Sequence, residues 1–281
     1  MNLEAIKTYK ALLVGDGIYD RYVFVKPLGK SIKEPVISVA HLREEEYRGG
    51  VWAAANHLHN FCAQVDVYCG SRVMVNTRFV EDIYKRKLFT LHESRIEDNG
   101  PLPDIASYDV VIVSDFGHGT MTKELIEKIY KEARFLAVNA QTNSQNFGFN
   151  LVTRYSRADL VVVDELEARL AASDKDSPIE DVILELGYRS IIVTLGANGA
   201  IGFNGGFERL KPSFDAPSAI DTMGAGDAFL SIVAPYAAAR FSMRELLQIG
   251  NAAGAAKCQI IGHRRSITPA DVNAWIKLGN D

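Results

Sequence analysis

Short apolar runs recur along the chain, and segments with helical periodicity separate many of them. Buried strands are predicted at ALLVG (11–15), VDVYCG (65–70), DVVIVSD (109–115), FLAVN (135–139), DLVVVD (159–164) and SIIVTLG (190–196). Helices are predicted at 49–61, 120–132, 164–172, 178–187, 225–239, 243–257 and 268–278. Apolar strands that alternate with helices are typical of an α/β fold with a doubly wound, mostly parallel sheet.

Polar and glycine residues cluster where the predicted strands end. Ligands of open α/β sheets bind beyond the carboxyl ends of the strands. The residues at these ends are Gly15, Asp16, Ser114, Asp115, Asn139, Asp164 and Gly196. Two other β-rich segments, RYVFV (21–25) and PVISVA (35–40), carry polar interruptions and predict an exposed hairpin. A binding site is therefore expected at this edge of the sheet.

Composition narrows the class of protein. The 281 residues are 47% hydrophobic, which is ample for one large core. The net charge is −4 without a basic block, which argues against nucleic acid as a partner. Cys62, Cys69 and Cys258 match no zinc-site spacing and indicate reduced thiols in a cytoplasmic protein. The opening MNLEAIKTYK lacks a signal-peptide core, and no apolar run approaches a membrane span.

The segment DTMGAGDAF, from Asp221 to Phe229, places small residues between two carboxylates just before an apolar helix. Glycines let the backbone approach a ligand, and N–H groups at a helix N-terminus attract phosphates. A carboxylate in the first turn, such as Asp227, can take a proton. An anion cradle beside a base is what phosphoryl transfer to a hydroxyl requires. Helix capping is the simpler explanation, but it accounts for only one of the two carboxylates.

Two partial nucleotide-binding motifs fail on their spacing. GDGIYD after the first strand begins like a dinucleotide fingerprint, but Asp20 stands where the third glycine is required. GKS at 29–31 resembles the end of a P-loop, but Phe24 stands at the position of its first glycine. Neither a dehydrogenase nor a P-loop protein is therefore indicated.

Taken with the order of the other features, DTMGAGDAF resembles the C-terminal motif of ribokinase-like, PfkB-type sugar kinases. The resemblance covers nearly the whole chain. Within this family the chain most resembles heptose-7-phosphate kinases of bacterial surface-polysaccharide synthesis, through VGDGIYDRY (14–22), GKSIKEPVISV (29–39) and VSDFGHG (113–119). The resemblance implies phosphorylation of a sugar or sugar-phosphate hydroxyl, with ATP and Mg²⁺ as cofactors and a heptose 7-phosphate as the expected acceptor.

The resemblance assigns the catalytic centre to DTMGAGDAF. Asp227 corresponds to the general base, which takes the proton of the acceptor hydroxyl as it attacks the γ-phosphate. The N–H groups of Gly224, Ala225 and Gly226 form the anion hole. Asp221 is expected to support that turn or its cation environment, on the cofactor side.

On the acceptor side, the resemblance implies that Asp16 and Asp20 hold sugar hydroxyls. Gly49 and Gly50 would bring the backbone against the sugar. A turn residue at Asp20 and a plain helix entry at the two glycines are the structural alternatives. Lys33 is assigned to a phosphorylated substrate as part of a basic cluster in or beside the hairpin, for which ordinary solvated charge is the alternative. The other members of that cluster are Arg21, Lys30 and Arg48.

The hairpin is expected to belong to a small β lid, made from about 18–48 and part of 76–93, on a single kinase domain that spans 1–281. Closure of the lid would exclude water and limit ATP hydrolysis. Family members often pair through their lids, so a homodimer is expected. A link to a nucleotidyltransferase that acts on the product is the other partner expectation.

On the nucleotide side, TLGANG at 194–199 resembles the nucleotide-binding turn of the family. This assigns Thr194, Gly196 and Gly199 to the phosphates and ribose of ATP, although a glycine turn between two strands would look the same. Asn251 lies in NAAGAA, at the position of the adenine-side helix, where small residues also suit helix packing.

The segment DELE at 164–167 corresponds to an Asn-x-x-Glu motif that organises magnesium and phosphate in the family. Asp164 replaces the Asn. Mg²⁺ is a hard cation that binds carboxylates and water, so Asp164 and Glu167 are the expected metal residues. An acid-rich first helical turn, favoured by the helix dipole, is the alternative.

Departures from the family pattern bear on the acceptor rather than on the class. Ala53 stands near the position of a sugar-contacting Asn, and His118 replaces a Lys near the phosphates. The amide-rich VNAQTNSQNFGFN (138–150) replaces a DPK-like segment, and the region between VYCG and a strand at 88–92 is short. Two alternatives therefore remain open: a kinase for a different sugar or nucleoside, and a non-catalytic ligand-sensing module on the same scaffold.

Overall fold

Strands and helices alternate along the computed structural model, which describes residues 2–211, 219–262 and 264–278. The strands are β1 (Lys10–Gly15), β2 (Gly17–Lys30), β3 (Ile37–Gly50), β4 (Gln64–Tyr68), β5 (Arg72–Glu81), β6 (Lys87–Ile96), β7 (Val110–Asp115), β8 (Leu136–Ala140), β9 (Leu160–Asp164), β10 (Ile191–Thr194), β11 (Ala200–Phe203) and β12 (Phe207–Leu210). The α-helices are α1 (Val51–Leu58), α2 (Lys123–Glu132), α3 (Glu165–Ala172), α4 (Ile179–Leu186), α5 (Ala225–Ala238), α6 (Met243–Cys258) and α7 (Pro269–Leu278).

The main sheet has eight strands in the order β12-β11-β10-β9-β8-β7-β1-β4. The six strands β4, β1, β7, β8, β9 and β10 are parallel to one another. β11 and β12 add an antiparallel edge next to β10. The predicted α/β fold with a mostly parallel sheet is confirmed. The antiparallel edge was not among the predicted buried strands, because a glycine interrupts AIGF and two charged residues interrupt FERL.

Alternation along β1 shows how both faces of this sheet are buried. Ala11 and Leu13 belong to one apolar cluster, whereas Leu12 and Val14 belong to the other. The first cluster lies against α1, α5 and α6, and the second lies against α2, α3 and α4. Because side chains alternate in direction along a strand, a nearly continuous apolar run is the pattern of a strand covered on both sides.

A second sheet has four strands in the order β3-β2-β5-β6. It contains the segments from which a lid is expected, and its strands extend well beyond the two short predicted ones. β5 lies in the interval that looked short in the sequence, and β6 contains the predicted strand at 88–92. Ile18, Met74 and Phe116 form a small apolar cluster that joins this sheet to the loop after β7. We call this four-stranded unit the lid sheet.

Helix ends are well defined near the carboxyl edge of the main sheet. Gly224, the N-cap of α5, has φ +75°, a conformation that strongly favours glycine. Asp164 and Glu167 form a reciprocal capping box at the start of α3. Among the helices in the described part of the chain, none has the length and apolar character needed to cross a bilayer.

Candidate active site

Three neighbouring cavities meet at the start of α5. A large cavity of about 550 Å³ lies between the loop after β10, α5 and α6. A polar cavity of about 310 Å³ lies between the lid sheet and the loops after β7 and β8. A junction cavity of about 200 Å³ shares Asp164, Thr194 and Gly226 with the large cavity, and Gly224 and Asp227 with the polar one. The start of α5 therefore separates two chemically different compartments.

Asp227 lines both the polar cavity and the junction cavity. Its carboxylate Oδ1 accepts a hydrogen bond of 2.7 Å from Nε2 of Gln141. Gly224 and Gly226 line the junction cavity beside it, while the N–H of Ala225 is directed at the Thr222 carbonyl oxygen, 3.3 Å away. The first turn of a helix leaves N–H groups without intrahelical partners, so a carboxylate and an anion-attracting helix start lie together here.

Asp221 braces the turn that leads into α5. Its Oδ1 accepts from the Met223 N–H at 3.0 Å, and its Oδ2 accepts from the Gly262 N–H at 2.7 Å. It lines a fourth cavity of about 340 Å³, against the lid sheet, and is not among the residues that line the large cavity. The assignment of Asp221 to direct cofactor binding is therefore not supported, whereas its support of the turn is visible.

The nucleotide-side residues converge on the large cavity. Thr194, Gly196, Gly199 and Asn251 all line it. Gly199 has φ +85°, and a Cβ there would lie 2.0 Å from the Leu210 carbonyl oxygen, so the turn requires glycine. Asn251 is buried, and its Nδ2 donates to the carbonyl oxygens of Leu210 (3.2 Å) and Lys211 (3.1 Å). Asn251 thus holds the end of β12 as well as lining the cavity.

Glu167 and Asp164 stand on the other side of the junction cavity. Burial, reinforced by the charges of Asp164 and Asp227, raises the pKa of Glu167 to about 7. The Glu167 carboxylate accepts from the N–H groups of Thr142 (3.0 Å) and Asp164 (2.9 Å). Oδ1 of Asn139, in the same cavity, is buried and lacks a hydrogen-bond partner.

These oxygen atoms suit a hard cation that retains several waters. Within the described ranges, no group of three or more His, Cys, Asp or Glu side chains forms a complete metal cage. Mg²⁺ is usually held by one or two carboxylates together with substrate phosphates and water. Asp164, Glu167 and the unsatisfied Asn139 oxygen therefore fit Mg²⁺ bound together with a nucleotide.

The polar cavity draws its lining from both sheets. Asp20 is 6% exposed, lines the cavity and forms an ion pair with Arg78 from β5 of the lid sheet. Gly50 also lines the cavity with φ +57°, and a Cβ there would lie 2.5 Å from the Asp16 carbonyl oxygen. Gly49 of β3, by contrast, is paired with Ile18 of β2 and is not a lining residue.

Asp16 and Lys33 do not occupy the positions that were expected of them. Asp16 is 1% exposed, and its carboxylate accepts backbone N–H groups from the loop after β7 instead of facing the polar cavity. The donors and their distances are Phe116 (2.9 Å), His118 (3.1 Å) and Thr120 (3.0 Å). Lys33 is exposed in the turn between β2 and β3 and lines none of the four cavities. Direct substrate contact is not supported for either residue.

Several lining residues were not assigned a binding role from the sequence, although His118 and the amide-rich segment 138–150 were noted as departures from the family pattern. The polar cavity also contains Asn76, Arg78, His92, His118, Gln141, Asn143, Ser144 and Gln145. Asn76 and Arg78 lie two residues apart in β5, and this period-two spacing was the available signal that they share a face. Burial lowers the pKa of His118, so this imidazole is neutral near pH 7. Among the lining residues, Arg78 instead supplies the fixed positive charge.

A glycine-bounded helix start beside a carboxylate, between a large cavity and a polar one, is an arrangement suited to phosphoryl transfer between two small molecules. The sequence profile of the pfkB family of carbohydrate kinases matches residues 87–270. The chain belongs to this family, and the predicted class, an ATP-dependent carbohydrate kinase, is confirmed.

Curated relatives give a finer likeness at low identity. The chain is 24% identical to the "Bifunctional protein HldE" of Pelobacter propionicus, over 98% of this chain and 64% of that protein. A protein of the same name from Campylobacter jejuni is 22% identical, over 90% of this chain and 62% of its own length. The chain therefore spans less than two thirds of these relatives.

Solved structures share the fold. A ribokinase from Thermotoga maritima aligns with a TM-score of 0.69 and 16% identity, covering 96% of this chain and 99% of that one. Phosphofructokinase-2 from Escherichia coli in complex with potassium aligns with a TM-score of 0.72 and 13% identity, covering 98% and 100%. The ribokinase-like fold is thereby confirmed.

Proposed function

We propose that this chain transfers the γ-phosphate of ATP to a hydroxyl of a sugar phosphate, with a heptose 7-phosphate as the first candidate acceptor. The observation that carries the proposal is the position of Asp227, which lines both the polar cavity and the junction cavity. A base at that boundary can take a proton from an acceptor on one side while phosphate lies on the other.

In this mechanism, ATP occupies the large cavity with its phosphates directed towards the junction cavity. Gln141 orients the Asp227 carboxylate through its 2.7 Å hydrogen bond. The N–H groups at the start of α5 stabilise the charge of the transferred phosphoryl group. Asp164 and Glu167 would hold Mg²⁺, which would supply positive charge to neutralise the phosphates.

The acceptor assignment is supported by two observations. Asp20, Asn76 and His92 give the polar cavity the mixed donors and acceptors that sugar hydroxyls require, and Arg78 adds a cation suited to a phosphorylated sugar. The motifs VGDGIYDRY, GKSIKEPVISV and VSDFGHG resemble those of heptose-7-phosphate kinases. We propose that the lid sheet closes over this cavity within a single domain and that it also pairs two copies of the chain.

The bifunctional relatives suggest a second proposal about partners. Because this chain spans only 64% of the Pelobacter propionicus protein, a further activity of such relatives would lie outside the matched part. We propose that a nucleotidyltransferase acts on the phosphorylated sugar that this kinase releases.

The test is ADP release from Mg²⁺-ATP with a panel of 7-phosphoheptoses, other sugars, sugar phosphates and nucleosides. Asp227→Asn should lower turnover by about 10³-fold, whereas Asp176→Asn, in the exposed α3–α4 loop, is the matched control. Release that depends on a heptose 7-phosphate supports the full proposal. Release with another acceptor discards the heptose assignment, and ATP binding without release on any acceptor favours a ligand sensor.

A further inference from the structure

Lys257 is a lysine with its side chain wholly inside the protein. It is 0% exposed and lies in the last turn of α6. Its Nζ donates to the carbonyl oxygen of Met223 at 2.6 Å and to that of Ile260 at 3.3 Å. Burial lowers the pKa of Lys257 from its ordinary value, and the negative charges of Asp221 and Asp227 only partly oppose this lowering. A buried charge is costly unless it is compensated, so these contacts invite a functional explanation.

The contact with Met223 reaches the proposed anion hole through one peptide group. The Met223 carbonyl and the Gly224 N–H belong to the same peptide unit, and Gly224 is the N-cap of α5. A cation on the carbonyl oxygen polarises the peptide, which strengthens its N–H as a donor. Asp221 holds the preceding N–H, that of Met223, at 3.0 Å. The turn at Met223 is therefore held on its N–H by the Asp221 carboxylate and on its carbonyl oxygen by the Lys257 ammonium group.

We propose that Lys257 is a positioning residue for phosphoryl transfer: a built-in cation that fixes the Met223–Gly224 peptide and makes an added monovalent cation unnecessary. This inference rests on the proposed kinase function. Main-chain carbonyls with a carboxylate nearby also suit a free cation of ammonium size. Loss of the Lys257 side chain should therefore create a site for such an ion.

The decisive experiment compares wild type, Lys257→Ala and Lys257→Gln in sodium chloride, then with ammonium, methylammonium, potassium or tetramethylammonium chloride at constant ionic strength. Lys257→Ala should lose about 10- to 100-fold in kcat with little change in KM, because a direct anion-hole donor is worth about 10²–10³-fold. Ammonium should raise the kcat of Lys257→Ala by about tenfold, whereas the larger tetramethylammonium should not raise it. Wild type and the exposed-site control Lys277→Met should be indifferent to the cation.

Lys257→Gln separates charge from hydrogen bonding, because an amide can donate to Met223 without bringing a charge. Retention of wild-type kcat by this variant would overturn the proposal. The comparison of Lys257→Gln with wild type therefore tests the proposal even if Lys257→Ala does not fold. A folded Lys257→Ala enzyme that no small cation rescues would overturn it as well.

Thermal melting separates this inference from the kinase proposal. If the wild type turns over no acceptor, the kinase proposal fails, but the cation site can still be measured. Ammonium should then raise the Tm of Lys257→Ala, relative to sodium, and leave the wild-type Tm unchanged. An equal response of both proteins would rule out the site.

Discussion

The large cavity and the polar cavity lie on either side of α5 and are built in different ways. One wall of the large cavity is a single contiguous turn, with Thr194, Gly196 and Gly199 within six positions of one another, and mostly small residues of α5 and α6 complete the lining. The polar cavity joins side chains from distant segments, such as Asp20, Arg78 and Gln141. Backbone geometry therefore shapes the nucleotide side, whereas side-chain chemistry shapes the acceptor side. Substitutions on the nucleotide side should therefore lower stability and ATP binding, whereas substitutions on the acceptor side should change recognition of the acceptor.

The largest expected effect is on the backbone of the nucleotide side. Gly199→Ala combines a left-handed φ with a Cβ placed 2.0 Å from the Leu210 carbonyl oxygen. We expect a loss of about 3 kcal/mol or more in the free energy of unfolding, with weakened ATP binding. Urea unfolding and calorimetric titration with ATP would measure both.

Gly205 offers a matched control for this substitution. It has φ +76°, but nothing lies within 4 Å of a Cβ built there. Gly205→Ala should cost only about 1 kcal/mol, from the strained backbone alone. Equal destabilisation by the two substitutions would mean that the close approach at Leu210 is unimportant.

On the acceptor side, Arg78→Met should act on substrate recognition. It removes the cation of the polar cavity and the ion-pair partner of Asp20. We expect the KM for a phosphorylated acceptor to rise about 10²-fold, since bonds to charged groups are worth about 1.5–3 kcal/mol. The KM for ATP should change little.

Arg95→Met in β6 is the control, because Arg95 pairs with Glu46 and Glu97 on the lid sheet and does not line the polar cavity. Steady-state kinetics with each substrate varied in turn would separate the two sides. A rise confined to the KM for ATP after Arg78→Met would reverse the roles of the cavities.

Glu167, at the junction, predicts a pH dependence of stability. Its pKa in the folded protein is raised to about 7 from an ordinary 4.5, mainly by burial. The unfolded chain therefore loses this proton first as pH rises, and folding stability falls across pH 4.5 to 7, by about 3 kcal/mol. Glu167→Gln should abolish that fall and be the more stable protein at pH 8. Unfolding at a series of pH values without Mg²⁺ would show it, and parallel curves for both proteins would contradict it.

Mg²⁺ should act in the opposite direction at the same residue. A metal ion requires the carboxylate form, so binding of Mg²⁺-ATP should tighten as pH rises through about 7. Glu167→Gln should bind Mg²⁺-ATP weakly at every pH. The two measurements together distinguish a metal residue from a helix cap.

The contrast between the cavities also explains which features could be predicted from the sequence. Apolar runs located the parallel strands, because two-sided burial leaves a continuous apolar pattern. Thr194, Gly196 and Gly199 were assigned to one site because the contiguous segment TLGANG resembles the nucleotide-binding turn of the family. Arg78 and Gln141 were not assigned, since their convergence depends on how the lid sheet packs over the main sheet.

Two assigned residues show the limit of motif transfer. Asp16 carries a carboxylate at a strand end, but the neighbouring loop supplies three N–H donors that its sequence position does not reveal. Lys33 lies in the hairpin that was expected to cover the site, yet the strands extend the hairpin and carry its tip away from the cavities. Charge and position along the chain were known, but the direction of each side chain was not.

The smallest expected effect is that of removing the hydrogen bond from Gln141 to Asp227, the proposed base. Gln141 donates to Asp227 at 2.7 Å, and its backbone is held by the Asp115 carbonyl oxygen at 2.7 Å, so the amide is well positioned. Gln141→Leu keeps a similar volume but removes the donor. We expect kcat to fall about tenfold, in line with about 1.5 kcal/mol for a bond to a charged group, while both KM values stay within about twofold.

Gln248→Leu on α6 is the control for losing an amide outside the four cavities. An increase in the KM for the acceptor with unchanged kcat would place Gln141 among the sugar-binding groups instead. Only a fall in kcat alone would show that the loop after β8 orients the catalytic carboxylate. In that case the boundary between the two cavities, and not only their walls, is shaped by side chains that meet from distant parts of the chain.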